Sequence, residues 1–387
     1  MFDLLFVVAA VAAAVGGYRL GLIARVTSWF GLAIGVVVGS MVLPVLLKRL
    51  HDTDDATVAL VAISTLVGAA LVGQAAGLVL GSKAHIALPA GNLRTADQAA
   101  GSVAGVVGLL VGLWLLLPTL GDIPGRTSEQ ARSSVIAREV ADFFPPAPDT
   151  IQALRRLVGD DPFPKVFDRF QPAPDPGTPP AESGLDQARA RAVAQSVVKV
   201  EGEACGRLQE GTGFFVSENL VVTNAHVVAG EDNSVLELAD GSEAEATVVA
   251  FDPDRDLAVL LTGASGPALQ LADAAAGDIG GVFGHPGGRD LEISPFEVSE
   301  QISAQGRDIY DQAATERQVL VLASDLEPGD SGSALIDPAG RVIGVAFAVA
   351  PDKPGVGYAL AVEELRPLLD GLPIGSLTEQ DTRDCLV

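Results

Sequence analysis

Four apolar stretches follow one another in the first 120 residues, and nothing else constrains this chain as strongly. They cover residues 2–23, 29–50, 57–80 and 99–120. Each is about 20 residues long, enough as a helix to cross roughly 30 Å of hydrocarbon. Charges fall mostly between the stretches or at their ends: Arg19 and Arg25, then Lys48, Arg49 and Asp52 to Asp55, then Lys83 and Arg94. One such stretch alone would suit a buried core helix. Four in succession predict a membrane unit over residues 1–121, an α-helical domain of four transmembrane helices set in a lipid bilayer. The first stretch opens Met-Phe-Asp with no basic residues before the apolar run, so it reads as an uncleaved anchor and not as a signal peptide.

Glycines recur four apart within these stretches, at 31, 35 and 39, at 73, 77 and 81, and at 101 and 105. Such rows let helix backbones approach closely in lipid. No stretch carries a row of ionisable residues, so a channel or transporter has no support. His51 and His85 flank the stretches and read as interfacial. An even number of spans puts both ends of the unit on one side, and the basic residues of the loops lean slightly toward the outside.

Past the apolar third the character changes. Residues 1–121 hold six basic and five acidic residues, whereas the remainder holds 19 and 44. An acidic surface repels phosphate, which excludes nucleic acid as the main partner. Residues 122–189 include "FFPPAPDT", "DPFPKVF" and "FQPAPDPGTPPAESG". Proline fixes φ and lacks a donor, so an extended, poorly packed tether is expected. Short helices are expected near residues 128–143 and 150–158.

From residue 190 to 387 the chain alternates short apolar runs with Gly, Asp and Pro. "VVKVEG", "GTGFFVS", "NLVVTNAHVV", "SVLELAD", "EATVVAFD", "DLAVLLT", "RVIGVAFAV" and "VGYALAV" read as strands. Many short strands predict an all-β barrel or sandwich. A helix near residues 363–369 closes the pattern.

Three local sequences in this region carry chemistry together. His226 follows an apolar strand in "TNAHVV", Asp256 opens another in "DPDRDLAVL", and Ser331 lies in "GDSGSAL". The order is His, Asp, Ser, with separations of 30 and 75 residues. A serine hydroxyl is a weak nucleophile that needs an adjacent base, and imidazole is the natural one. A buried carboxylate fixes the imidazole tautomer and stabilises the imidazolium. Gly329 and Ser331 can turn their N–H groups into one small space as an oxyanion hole. Each sequence alone is weak; a lone His at a strand end or a lone GDSG is more often structural.

Taken together, the three resemble the trypsin-like, chymotrypsin-fold serine proteases of the bacterial HtrA style over residues 190–372. The resemblance implies a double β-barrel and a serine endopeptidase that requires no cofactor or metal. Asp256 is preferred to Asp254 because "DLAVL" matches the family's Asp-hydrophobic-Ala strand, which leaves Asp252 and Asp254 to cap the turn. It also implies a specificity pocket near Asp325, six residues before Ser331, walled by Phe347. Asp330 would either pair with a freed amine, as in trypsin-like zymogens, or bond locally within its turn. His285, in "GHPGG", has no catalytic part. The opening "FDLLFVVAAVAAAVGGYRLGLIARVTSWFGLAIG" looks like the colicin V production protein family. The two regions in one chain resemble the MarP-like group of membrane-anchored periplasmic proteases. That resemblance implies a plasma-membrane protein with an extracytoplasmic protease domain and a role in acid or oxidative stress. Tethering at the membrane makes envelope proteins or peptides the expected substrates, and self-cleavage in the tether is an expected route to activation. The rival class is a non-enzymatic membrane scaffold whose protease-like domain binds peptides or senses stress.

Cys205 and Cys385, the only cysteines, stand at opposite ends of this domain. They read as a disulfide staple if the domain is extracytoplasmic, or as two free thiols if it is not.

Overall fold

The computed structural model describes residues 2–47, 55–89, 91–122, 125–145, 172–204, 207–231, 233–372 and 377–382. The chain divides into two compact units, Met1–Ile123 with Thr127–Asp161, and Pro124–Arg126 with Pro162–Val387.

The first unit is built on α1 (Phe2–Leu47), α2 (Asp55–Ile86) and α3 (Asn92–Asp122). These are three helices long and apolar enough to cross a membrane, where the sequence predicts four spans. The difference lies in α1, which joins the first two stretches across a break at Gly21 (φ 78°, ψ 164°). A positive φ of this kind suits glycine. The half before the break packs on α3, with Gly17 against Gly101 and Ala13 against Gly105. The half after it packs on α2, with Gly31 against Gly73 and Gly35 against Ala69. Any side chain at these glycines would collide with the facing backbone, so the glycine rows are contact surfaces. Asp97 sits in the break and accepts the Ile23 N–H at 3.1 Å. His85 Nδ1 lies 2.6 Å from the same carboxylate. His85, in the last turn of α2, is therefore a buried partner of Asp97; His51 lies outside the described residues.

Two short helices follow, α4 (Arg126–Ser133) and α5 (Val135–Phe143), where one was expected; the second expected helix lies outside the described residues. Residues 172–186 have no regular secondary structure and none is buried, but the segment is held at two points. The Ala173 N–H donates to Asp352 at 2.9 Å, and Lys353 pairs with Asp175 at 2.7 Å. Helix α6 (Gln187–Ala194) then leads into the strands.

The second unit holds two six-stranded antiparallel barrels. The first comprises β1 (Val197–Ala204), β2 (Arg207–Phe215), β3 (Leu220–Thr223), β4 (Ser234–Glu237), β5 (Glu243–Asp252) and β6 (Leu257–Thr262). The second comprises β7 (Ile279–Gly284), β8 (Glu292–Arg307), β9 (Ala314–Ala323), β10 (Ala334–Ile336), β11 (Val342–Val349) and β12 (Val356–Ala361). Closure leaves no open sheet edge. Val200, Phe215 and Leu260 fill the first barrel, and Phe296, Leu320 and Leu335 the second. Phe214, Val222, Phe283 and Phe347 belong to one apolar cluster that fuses the barrels. A four-residue helix, α7 (Ala225–Val228), leaves β3, and α8 (Val362–Asp370) buries Val362 and Leu365.

Candidate active site

His226 stands on α7, where the apolar strand β3 ends and Ala225, Val227 and Val228 pin the turn into the core. Its ring Nδ1 lies 2.8 and 3.0 Å from the two carboxylate oxygens of Asp256. Its backbone N–H donates to the same carboxylate at 2.9 Å. Asp256 is fully buried, while the His226 side chain is 13% exposed. One end of the imidazole is thus held by a desolvated carboxylate and the other faces outward. Asp256 has φ +60°, in the left-handed region that few non-glycine residues occupy. Its carbonyl accepts from Asn224 Nδ2 at 2.8 Å, tying the two loops together.

Ser331 lies in the turn between β9 and β10. Its carbonyl accepts the Thr212 N–H at 2.8 Å, and Thr212 Oγ1 donates to the Gly329 carbonyl at 2.8 Å. Gly332 lies against Thr223 and Asn224, so the serine turn abuts the loop that carries His226. Among the described residues, neither His226 Nε2 nor Ser331 Oγ has a hydrogen-bond partner. Contacts of this kind often tighten only when substrate binds.

The turn leaves two of its donors unused among the described residues. The N–H groups of Asp330, Gly332 and Ser333 are each used within the protein. Those of Gly329 and Ser331 donate to no acceptor among the described residues. Gly329 has φ +99°, and a Cβ there would strike the backbone of His285 and Gly287. Asp330 accepts the Glu327 N–H at 2.9 Å, the local bonding that the sequence left as one of two options. Burial pushes its carboxyl up to about 6.

Other expected positions stand elsewhere. Asp325 is exposed and so forms no closed floor of a pocket; Phe347 is fully buried in the core. Asp252 caps the turn through the Arg255 N–H at 2.9 Å. His285 donates its backbone N–H to Thr212 Oγ1 and bonds the Arg289 carbonyl through Nδ1, both at 2.9 Å. Cys205 and Cys385 lie outside the described residues. Sequence reasoning missed Thr212 and Asn224. Glycines 211 and 213 inside strand β2 were the available signal for Thr212, because glycine within a strand marks close backbone approach.

A double barrel with this His–Asp pair and glycine-flanked serine defines the class: the chain is a trypsin-like serine endopeptidase joined to a membrane-type helical unit. Residues 211–345 match the trypsin-like peptidase domain family, and residues 2–145 match the colicin V production protein family. The chain belongs to the family of the serine protease Rv3671c of Mycobacterium tuberculosis strain H37Rv, to which it is 32% identical over 380 residues, 94% of this chain and 93% of the relative. The crystal structure of the Rv3671c protease in its active form superposes with a TM-score of 0.53 at 35% identity, covering 58% of this chain and all of that one. The chloroplastic Protease Do-like 1 of Arabidopsis thaliana is 32% identical over 177 residues, 42% of this chain and 39% of that protein.

Proposed function

We propose that this protein is a membrane-anchored, extracytoplasmic endopeptidase in which Ser331 is the nucleophile, His226 the general base and Asp256 the residue that orients it. The observation that carries this reading is the His226–Asp256 pair beside a turn with two unused N–H groups. Ser331 Oγ attacks the scissile carbonyl as His226 Nε2 takes its proton. The oxyanion that forms is stabilised by the N–H groups of Gly329 and Ser331, each worth roughly 3 kcal/mol in such sites. His226 then gives the proton to the leaving amine. Water, activated by the same imidazole, hydrolyses the acyl-enzyme and restores Ser331. No cofactor takes part in these steps.

The substrates we propose are proteins or peptides of the cell envelope, because the protease unit is tied to a membrane unit. The break at Gly21 supports four passes, since an unbroken α1 of 46 residues would reach about 70 Å, more than twice the hydrocarbon thickness. An even number of passes leaves the N-terminus and the protease on one side, outside the plasma membrane. A Cys205–Cys385 disulfide belongs with that placement. It is supported by the tail, where Thr382 Oγ1 donates to the Glu231 carbonyl at 3.0 Å. The Glu231 carboxylate in turn lies against Gly202, three residues before Cys205. Acid or oxidative stress is the proposed setting, with self-cleavage in the tether as a route to activation. The test is hydrolysis of labelled casein by the purified full-length protein, present in the wild type and absent in Ser331→Ala.

A further inference from the structure

Arg317 lies on β9 of the second barrel and is 2% exposed. Arginine is rarely buried to that extent unless a carboxylate pairs with it. Here none does so directly. Nε donates to the carbonyl of Asp254 at 2.7 Å, and Nη2 donates to the carbonyl of Arg307 at 2.8 Å. Nη1 is buried and has no hydrogen-bond partner among the described residues. A guanidinium with one nitrogen unsatisfied in the interior destabilises the fold relative to an apolar residue of the same size. A residue kept at such a cost has a reason beyond packing.

The reason lies two residues from Asp254. Asp256 occupies the left-handed region, a conformation costing on the order of 1–3 kcal/mol that persists only where its surroundings enforce it. Three groups hold that turn. Asn224 bonds the Asp256 carbonyl, Arg255 bonds Asp252 and Glu364 at its rim, and Arg317 bonds the Asp254 carbonyl from beneath. The loop after β8 joins them, with the Ile309 N–H donating to the Pro253 carbonyl at 3.2 Å. Of the two cations among them, Arg317 is the one withdrawn from water. The acids whose charges act on it are Asp256 on the turn, Asp308 after β8, Glu364 on α8 and Asp252 at the end of β5. Asp252 and Glu364 are already shared with Arg255. Asp256 has only His226 as a hydrogen-bond partner for its carboxylate among the described residues.

We infer that Arg317 is a positioning residue for the reaction: it clamps the turn that carries Asp256. The inference rests on the triad reading above. The clamp sets the orientation of the His226 ring, so its loss lowers kcat and leaves KM alone.

The test is steady-state casein hydrolysis by the full-length protein in detergent, with wild type, Arg317→Gln, Arg317→Lys and Ser331→Ala side by side. Arg317→Gln should lose about tenfold or more in kcat with KM within about twofold. Arg317→Lys keeps the charge but not the two-pronged clamp, so its kcat should fall about threefold or more. A wild-type kcat in Arg317→Gln, or a loss carried by KM alone, would overturn the inference. Should Arg317→Gln not fold, Arg317→Lys decides alone, and a wild-type kcat in that variant overturns the clamp. Turnover by Ser331→Ala would instead remove the triad reading itself.

Discussion

Ser234 Oγ donates to Glu231 Oε2 at 2.6 Å inside the first barrel, where Glu231 is 6% exposed. Burial pushes this carboxyl from 4.5 up to about 7, against the opposing pull of Ser234. Its raised value means the folded state holds the proton more tightly than the unfolded one. Stability from Glu231 is therefore complete below about 4.5 and is lost as pH rises through about 7. Asp330 adds to the same trend between 3.8 and about 6. The protease unit should melt at lower temperature at pH 7.5 than at pH 5, with Glu231 contributing on the order of 2–3 kcal/mol. Thermal loss of the β-sheet circular dichroism signal measures this. Glu231→Gln should flatten the dependence; a melting temperature that rises from pH 5 to 7.5 would contradict the assignment.

Asp256→Asn keeps the shape of the site but lets the ring of His226 adopt the wrong tautomer. Hydrolysis should fall by about 10⁴-fold with melting temperature nearly unchanged. Steady-state kinetics on casein, read beside a melting curve, check both halves.

Gly329→Ala places a methyl group against the His285 and Gly287 backbones, at a φ that disfavours any side chain. The turn has to rotate, and the 329 N–H turns with it. Activity should drop about 100-fold or more through kcat. Wild-type turnover in this variant would remove Gly329 from the oxyanion hole.

The tail offers a test of sidedness. Thr382 bonds Glu231 and receives the Gly230 N–H and the Tyr310 hydroxyl, so the chain just before Cys385 is fixed on the first barrel. Alkylation of intact cells followed by mass spectrometry should find Cys205 and Cys385 blocked until a reductant is added. Free thiols under oxidising conditions would count against the bond and against the outward orientation together.

Much of this molecule was legible in the sequence because its signals are local. Apolar length marked the membrane helices, and the eight strands named from sequence are apolar runs bounded by Gly, Asp or Pro. Strands β7 to β10 were not read. β8 is long but rich in Glu, Gln and Ser and contains Pro295, so its pattern is that of a polar loop; it becomes a strand only by pairing with β7 and β9. β10 has three residues, too few for any period to show. The helix break at Gly21 falls inside the first stretch read from sequence, and its lock left no local mark, because His85 and Asp97 meet there only through packing. Likewise the proposed triad was read from three short motifs, whereas Thr212, Asn224 and Arg317 reach the site through tertiary bonds to backbone carbonyls that leave no mark in sequence.

The central claim is that Ser331 is a nucleophile activated by His226. A fluorophosphonate probe reacts covalently only with such a serine. Incubated with the full-length protein, it should add one label, mapped by mass spectrometry to the peptide containing Ser331. Labelling should disappear in Ser331→Ala and fall steeply in His226→Ala. Equal labelling of the wild type and Ser331→Ala, or none in a folded wild-type protein that hydrolyses casein, would contradict the account.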